Sequence, residues 1–202
     1  SVQDFAWAPA LDQVNESLAY STERIIFTAP PDGGNNTQVT PDLTVGGRIS
    51  DFSWAPDSKR IAYLADQITN EVFELFTVEP DDNDDLQVSG DLTDGGDVID
   101  FSWSPDSKRV AYRANQRTAD AIELFTATPD GQENDRVSGN LASGGNEAFA
   151  WAPDNSGIGY IADQENNEVF ELFGTTPDGA ETVRLSGAFT EAGDVLFFEW
   201  VP

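Results

Sequence analysis

Carboxylates are the reactive groups this chain has in number: 37 Asp and Glu against 10 Lys and Arg, with no His and no Cys. The missing residues exclude imidazole acid/base chemistry, thiol nucleophiles, haem ligation by His or Cys, and zinc sites of the Cys/His kind. Carboxylates alone bind hard cations or alter one another's protonation. Asp4, Asp51 and Asp100 each stand three residues before a tryptophan (Trp7, Trp54, Trp103), while Ala148 and Phe197 hold that place before Trp151 and Trp200. Converging, the three would form a cation site. The favoured expectation is that each bonds backbone N–H groups or a Ser, Lys or Arg of a neighbouring repeat, because close like charges need partners. The segments 66–71, 115–120 and 163–168, with Asp81-Asp82-Asn83-Asp84-Asp85, offer oxygen donors suited to Ca²⁺, but none follows an EF-hand loop. Asp and Asn in such tips form turns, so no cofactor is expected and calcium is kept only as a candidate. Lys59-Arg60 and Lys108-Arg109 are expected to face Glu74 and Glu123 as cross-strand pairs worth roughly 0.2–1 kcal/mol. The later Glu171 breaks that rule, since Ser156-Gly157 replaces the basic pair. No Ser has a repeated base and no glycine-rich phosphate loop leads into a helix, so no catalytic set emerges and the chain is not expected to be an enzyme.

The net charge of −27 repels phosphate backbones and anionic lipid heads, and no run approaches the roughly 18 apolar residues of a membrane span. Nucleic acid and membrane insertion are therefore set aside in favour of a protein partner or self-association. The chain opens at Ser1 without Met or a basic-then-apolar leader, which suits a processed mature chain or an excised fragment. An extracellular, cell-surface or periplasmic location is expected. Self-repulsion at this charge should weaken the fold at low ionic strength, so added salt is expected to raise the melting temperature; a fall would contradict this account.

The elements that must position these groups repeat along the chain. Trp-x-Pro occurs at Trp7, Trp54, Trp103, Trp151 and Trp200, at spacings of 47, 49, 48 and 49. DFSWAPDSKRIAYLADQ at 51–67 returns from Asp100 as DFSWSPDSKRVAYRANQ, and NEVFELFTVEPD at 70–81 returns as ADAIELFTATPD and NEVFELFGTTPD. Within a unit the apolar residues alternate with period two, Ile99, Phe101 and Trp103 facing one way, which predicts a strand. A Ser104-Pro105-Asp106-Ser107 turn follows, then strands over 109–114 and 122–127, the turn Pro129-Asp130-Gly131, and a short fourth strand near 136–138. No segment shows a capped helical stripe. Four-stranded units of this length predict an all-β fold, a β-propeller of four-stranded antiparallel blades.

The order Trp-Ser-Pro-Asp-Ser-Lys-Arg-Val-Ala-Tyr, Glu-Leu-Phe, Pro-Asp-Gly resembles the TolB-like, WD-repeat-like propeller family across nearly the whole chain. The resemblance implies that the Trp-bearing strand lies nearest the axis and says little of function, because propellers host scaffolds, receptors and enzymes.

The repeats fall at roughly 1–47, 48–96, 97–145 and 146–193 of a single propeller domain. The first diverges, with 13 steps from Trp7 to Tyr20 where Trp54 to Tyr63 has 9. An extra inner strand follows the fourth: Asp194, Val195, Leu196, Phe197, Phe198, Glu199, Trp200 and Val201. The five tryptophans are expected to be core, and the extra strand to pair with another subunit, begin a fifth blade or mark a cut through a longer array. The expected role is a non-catalytic interaction or structural scaffold; the rivals are a filament subunit joined by the terminal strand and the ligand-binding propeller of a larger hydrolase.

Overall fold

The structure, a computed structural model, describes residues 4–8, 17–43, 45–81, 85–141, 144–187 and 193–201. Among these residues it is all-β, and no helix is long and apolar enough to cross a membrane. The first blade is β1 (Asp4–Trp7), β2 (Leu18–Ser21), β3 (Ile26–Ala29) and β4 (Thr37–Gln38). The second is β5 (Ile49–Trp54), β6 (Ile61–Ala65), β7 (Glu74–Val78) and β8 (Leu86–Gln87). The third is β9 (Val98–Trp103), β10 (Val110–Ala114), β11 (Ala121–Ala127) and β12 (Asn134–Arg136). The fourth is β13 (Gly144–Trp151), β14 (Ile158–Ala162), β15 (Glu171–Thr175) and β16 (Thr182–Arg184). Within each blade consecutive strands pair antiparallel, and a short parallel pairing of Ala121 and Ile122 with Gly144 and Gly145 joins the last two blades into one sheet. The architecture is that of propeller blades. The chain clusters into two compact units, Ser1–Ser89 with Pro129–Gln132, and Gly90–Thr128 with Glu133–Pro202.

The turns after Trp54, Trp103 and Trp151 explain their composition. Ser58, Ser107 and Asn155 adopt φ of 60 to 63°, and Asp57, Asp106 and Asp154 accept the N–H two residues on, from Lys59, Lys108 and Ser156. The Asp closes the turn and Pro presets its first residue. The Asp154 carboxyl is held below the ordinary carboxylate value by its hydrogen bonds from Ser156. In every blade a tyrosine of the second strand stacks on a phenylalanine of the third, with ring centroids 5.4 Å apart: Tyr20–Phe27, Tyr63–Phe76, Tyr112–Phe125 and Tyr160–Phe173. The latter three pairs are buried and the first is half-buried.

The simple alternation expected of the inner strand is broken. Val98 is 3% exposed and Ile99 44%, so Ile99 does not share the buried face of Phe101 and Trp103. A bulge is the reason: Ala114 pairs with Val98 while Arg113 pairs with Asp100, leaving Ile99 as the extra residue. The same slip passes over Ser50 in β5 and Glu147 in β13. The buried position before each bulge holds Ile49, Val98 and Asn146, and the Asn146 side chain has neither amide atom hydrogen-bonded. Asn146→Val is therefore expected to raise stability by about 1–2 kcal/mol, read as a higher denaturation midpoint at constant slope. A loss of stability would show that the amide is satisfied.

Candidate functional site

The tryptophans form a repeating link. Trp54 Nε1 donates to Ala6 O at 3.2 Å, Trp151 Nε1 to Ser102 O at 3.1 Å and Trp200 Nε1 to Ala150 O at 3.1 Å. Each acceptor is the residue just before the preceding Trp. Trp54, Trp103 and Trp151 are buried, and Trp200 is half-buried; the side chain of Trp7 lies outside the described residues.

Residues 194–201 follow the same template without a ladder. Val195, Phe198 and Trp200 repeat the spacing of Val98, Phe101 and Trp103 and turn toward the fourth blade, half-buried. Phe198 and Trp200 press on Gly159, where a Cβ would stand 2.6 Å from Phe198 Cε2 and 3.2 Å from Trp200 Cζ2. The other blades carry Ala19, Ala62 or Ala111 at this place. Val195 N donates to Phe170 O at 2.8 Å, and Asp194 Oδ1 accepts from Phe170 N at 3.0 Å. Glu199 is exposed, and Leu196, Phe197 and Val201 are 81, 85 and 87% exposed. Among the described residues the segment has no ladder partner, and Leu196, which strict alternation would place on the face of Trp200, is exposed.

The candidate acids are each engaged locally. Arg113 grips Asp100 through Nε at 2.9 Å and Nη2 at 2.6 Å and reaches the carbonyls of Asn146 and Glu147 with Nη1. Asp4 and Asp51 are exposed and each accepts the next N–H, from Phe5 and Phe52. Asp66 accepts from Arg48 N and Glu71 N, and Asp163 from Gly145 N and Glu168 N, so these tip carboxylates clamp loop backbone. Among the described residues no three His, Cys, Asp or Glu are grouped to hold a metal ion; Asp82, Asn83 and Asp84 lie outside them.

The basic pairs do not meet the expected glutamates. Arg60 pairs with Glu79 at 2.5 Å, and Arg109 with Asp135 at 3.1 Å and with Glu133. Register is the reason: Val110, next to Arg109, lies opposite Ala127, whereas Glu123 lies opposite Ala114, about 13 Å along the strand. Buried Glu123 and Glu171 instead take Arg136 Nη1 at 2.7 Å and Arg184 Nη1 at 3.2 Å, and Glu74 takes Gln87 Nε2. The missed signal was the residue two before each Ser-Gly: Gln87, Arg136 and Arg184. That serine also has a repeated task. Ser89, Ser138 and Ser186 Oγ, and Thr40 Oγ1, accept from the N–H of Leu75, Leu124, Leu172 and Ile26. Ser138→Ala, which strands the buried Leu124 N–H, is expected to cost about 1–3 kcal/mol in a denaturant melt.

No family model matches the sequence, and no curated protein sequence matches it. Solved structures do. Dipeptidyl peptidase 4 from Porphyromonas gingivalis superposes with a TM-score of 0.72 at 12% identity, over 93% of this chain and 33% of its own. TolB from Acinetobacter baumannii gives 0.56 at 14% identity, over 92% and 43%. Oligogalacturonate lyase from Vibrio parahaemolyticus gives 0.60 at 11% identity, over 83% and 49%. The likeness is one of fold. The chain is similar to the propeller portions of these proteins and spans a third to a half of each.

Proposed function

We propose that this chain is a non-catalytic β-propeller module of an exported or cell-surface protein, acting through protein association as a scaffold. The observation that carries this reading is the 194–201 segment, seated by Phe198 and Trp200 while Leu196, Phe197 and Val201 face outward with no ladder partner among the described residues. Exposed apolar side chains beside unladdered backbone suit strand addition, in which main-chain bonds supply affinity and alternate side chains supply specificity. The carboxylates and arginines described above support the same reading, because they are bonded to one another and to backbone.

Light scattering of the full chain and of a variant lacking 194–202, at low and high salt, tests it. Association that grows with salt and is lost on deletion is expected, since the charge of −27 opposes contact between copies. Equal masses for both proteins under all conditions would overturn the role of the segment. The likeness to a peptidase supports a second reading, the ligand-binding propeller of a larger hydrolase. It expects a monomer that binds glycan or peptide without turnover.

A further inference from the structure

One contact is made twice among the described residues. Gly131, in the turn Pro129-Asp130-Gly131, sits so close to the second blade that a Cβ would stand 3.1 Å from Gln87 O, with Val88 beneath. Gly179, in Pro177-Asp178-Gly179, sits likewise on the third blade, a Cβ meeting Arg136 O at 2.7 Å and Val137 Cα at 3.1 Å. Thr77 and Thr126 Oγ1 donate to Pro129 O and Pro177 O, both at 2.6 Å. Beside these contacts, Gly90 N and Gly139 N each donate to a tyrosine hydroxyl at 3.3 Å, Tyr112 and Tyr160, and to Gln116 and Gln164. The third and fourth repeats thus each offer a turn and a tyrosine that fit the fourth strand and Ser-Gly of the repeat before them.

On the fourth blade the receiving half stands open among the described residues. Leu185, in the place of buried Val137, is 52% exposed, and Val183 is 57% exposed. Gly187, in the place of Gly90 and Gly139, has nothing within 4 Å of its Cβ direction. Gly157 and Gly174 replace the Arg60/Arg109 and Thr77/Thr126 pairs, leaving a cavity of about 270 Å³ bordered by Val183, Leu185 and Trp200. On the first blade the docking half stands open. Pro31-Asp32-Gly33 makes the same turn, with Gly33 at φ +74° against +68° and +70° for Gly131 and Gly179, and Asp32 accepting from Gly34 N as Asp178 does from Ala180 N. It is exposed, and nothing lies within 4 Å of the Gly33 Cβ direction. Tyr20 and Phe27, half-buried, stand where the other blades bury their ring pairs. Pro30 replaces Thr128 and Thr176, adding apolar bulk where Gly157 and Gly174 remove it.

We propose that the groove on the fourth blade receives the first-blade turn of a second copy of this chain, a heterologous head-to-tail contact. Gly33 then rests on Leu185 as Gly179 rests on Val137, and the Tyr20 hydroxyl accepts the Gly187 N–H as Tyr160 accepts that of Gly139. The groove is continuous with the seated 194–201 segment through Trp200. That segment holds the inner-strand position, so Leu18–Ser21 of the second copy takes its ladder from 194–201 in place of Asp4–Trp7; both segments carry Trp-x-Pro. The inference rests on the association role of 194–201 and adds the receiver and the occupant. Repetition of such a contact gives rings if it closes and filaments if it does not.

The chain has no cysteine, so Asp32→Cys and Leu185→Cys each introduce one thiol, both at exposed positions. The two single variants are mixed under a mild oxidant in about 1 M salt, where the Debye length is about 3 Å. A disulfide needs Cα atoms about 4.4–6.8 Å apart, so the expected result is a cross-linked heterodimer about tenfold above either variant alone. Leu185→Asp is expected to weaken association about tenfold or more without moving the melting temperature. Salt-dependent association that needs 194–202 but yields no heterodimer would overturn the groove and leave the association reading standing. Cross-linking only within single chains of the double variant would show the groove filled by its own molecule's turn, and would also overturn it. A monomer at every salt and concentration would end both.

Discussion

Phe125→Ala is expected to lower the unfolding free energy by about 3–5 kcal/mol, measured as a shift of the urea midpoint at unchanged slope. Phe125 is buried in β11, and its ring stacks on Tyr112 at 5.4 Å with an interplanar angle of 19°. Removing it takes away buried ring area, opens a cavity in a blade whose other walls are strands, and leaves Tyr112 without its stacking partner. Phe27→Ala is the internal control, since Phe27 stacks on Tyr20 with the same spacing but is half-buried. It is expected to cost about half as much or less, because part of its surface already meets water. Equal costs would show that the first blade's pair is covered in solution, and comparing them at low and high salt would then report whether association covers it.

Raising the pH from 10 to 12 is expected to unfold the protein. A tyrosine in the unfolded chain ionises near 10. Burial pushes Tyr112 up to about 12, against its hydrogen bonds with Asn134, Gly90 and Gln116, which pull the other way. Burial likewise pushes Tyr160 up to about 12, and burial together with the neighbouring Asp85 carboxylate drives Tyr63 well above the ordinary value. Between these values the folded state holds protons that the unfolded state has released, so stability falls as pH rises. Each contribution is whole below pH 10 and lost through about 12, and a shift of two units corresponds to about 3 kcal/mol for Tyr112 and for Tyr160. Tyrosinate absorbance and the loss of β-sheet dichroism should therefore rise together above pH 10, and Tyr112→Phe should flatten the dependence. All tyrosines ionising near pH 10 with the sheet signal intact would contradict the burial described here.

Residues of one repeat show where sequence reading succeeds. Pro105-Asp106-Ser107 announces a turn because Pro and Asp act within four residues, and the Asp106 bond to Lys108 N is the one such chemistry dictates. The Glu123 partner was misread because opposite strands meet by register, and register over β10 and β11 places Arg109 at the wrong end. The bulge at Ile99 was hidden for a related reason: an extra residue in a strand reverses the facing of everything before it, while composition stays the same. Spacing alone left the Asp4, Asp51 and Asp100 series as either a ring or, as favoured, acids with local partners, and it could not name the partner of Asp100, which is Arg113 of the adjacent strand.

By itself the sequence determined the all-β class, the repeat, the turns and the chemistry this chain lacks, because all of these depend on residue type and local spacing. The tertiary structure alone decided which glutamate meets which arginine, and that 194–201 lies seated without a ladder among the described residues. Those facts depend on register and on which surfaces other repeats cover, and both are set by packing between segments roughly fifty residues apart.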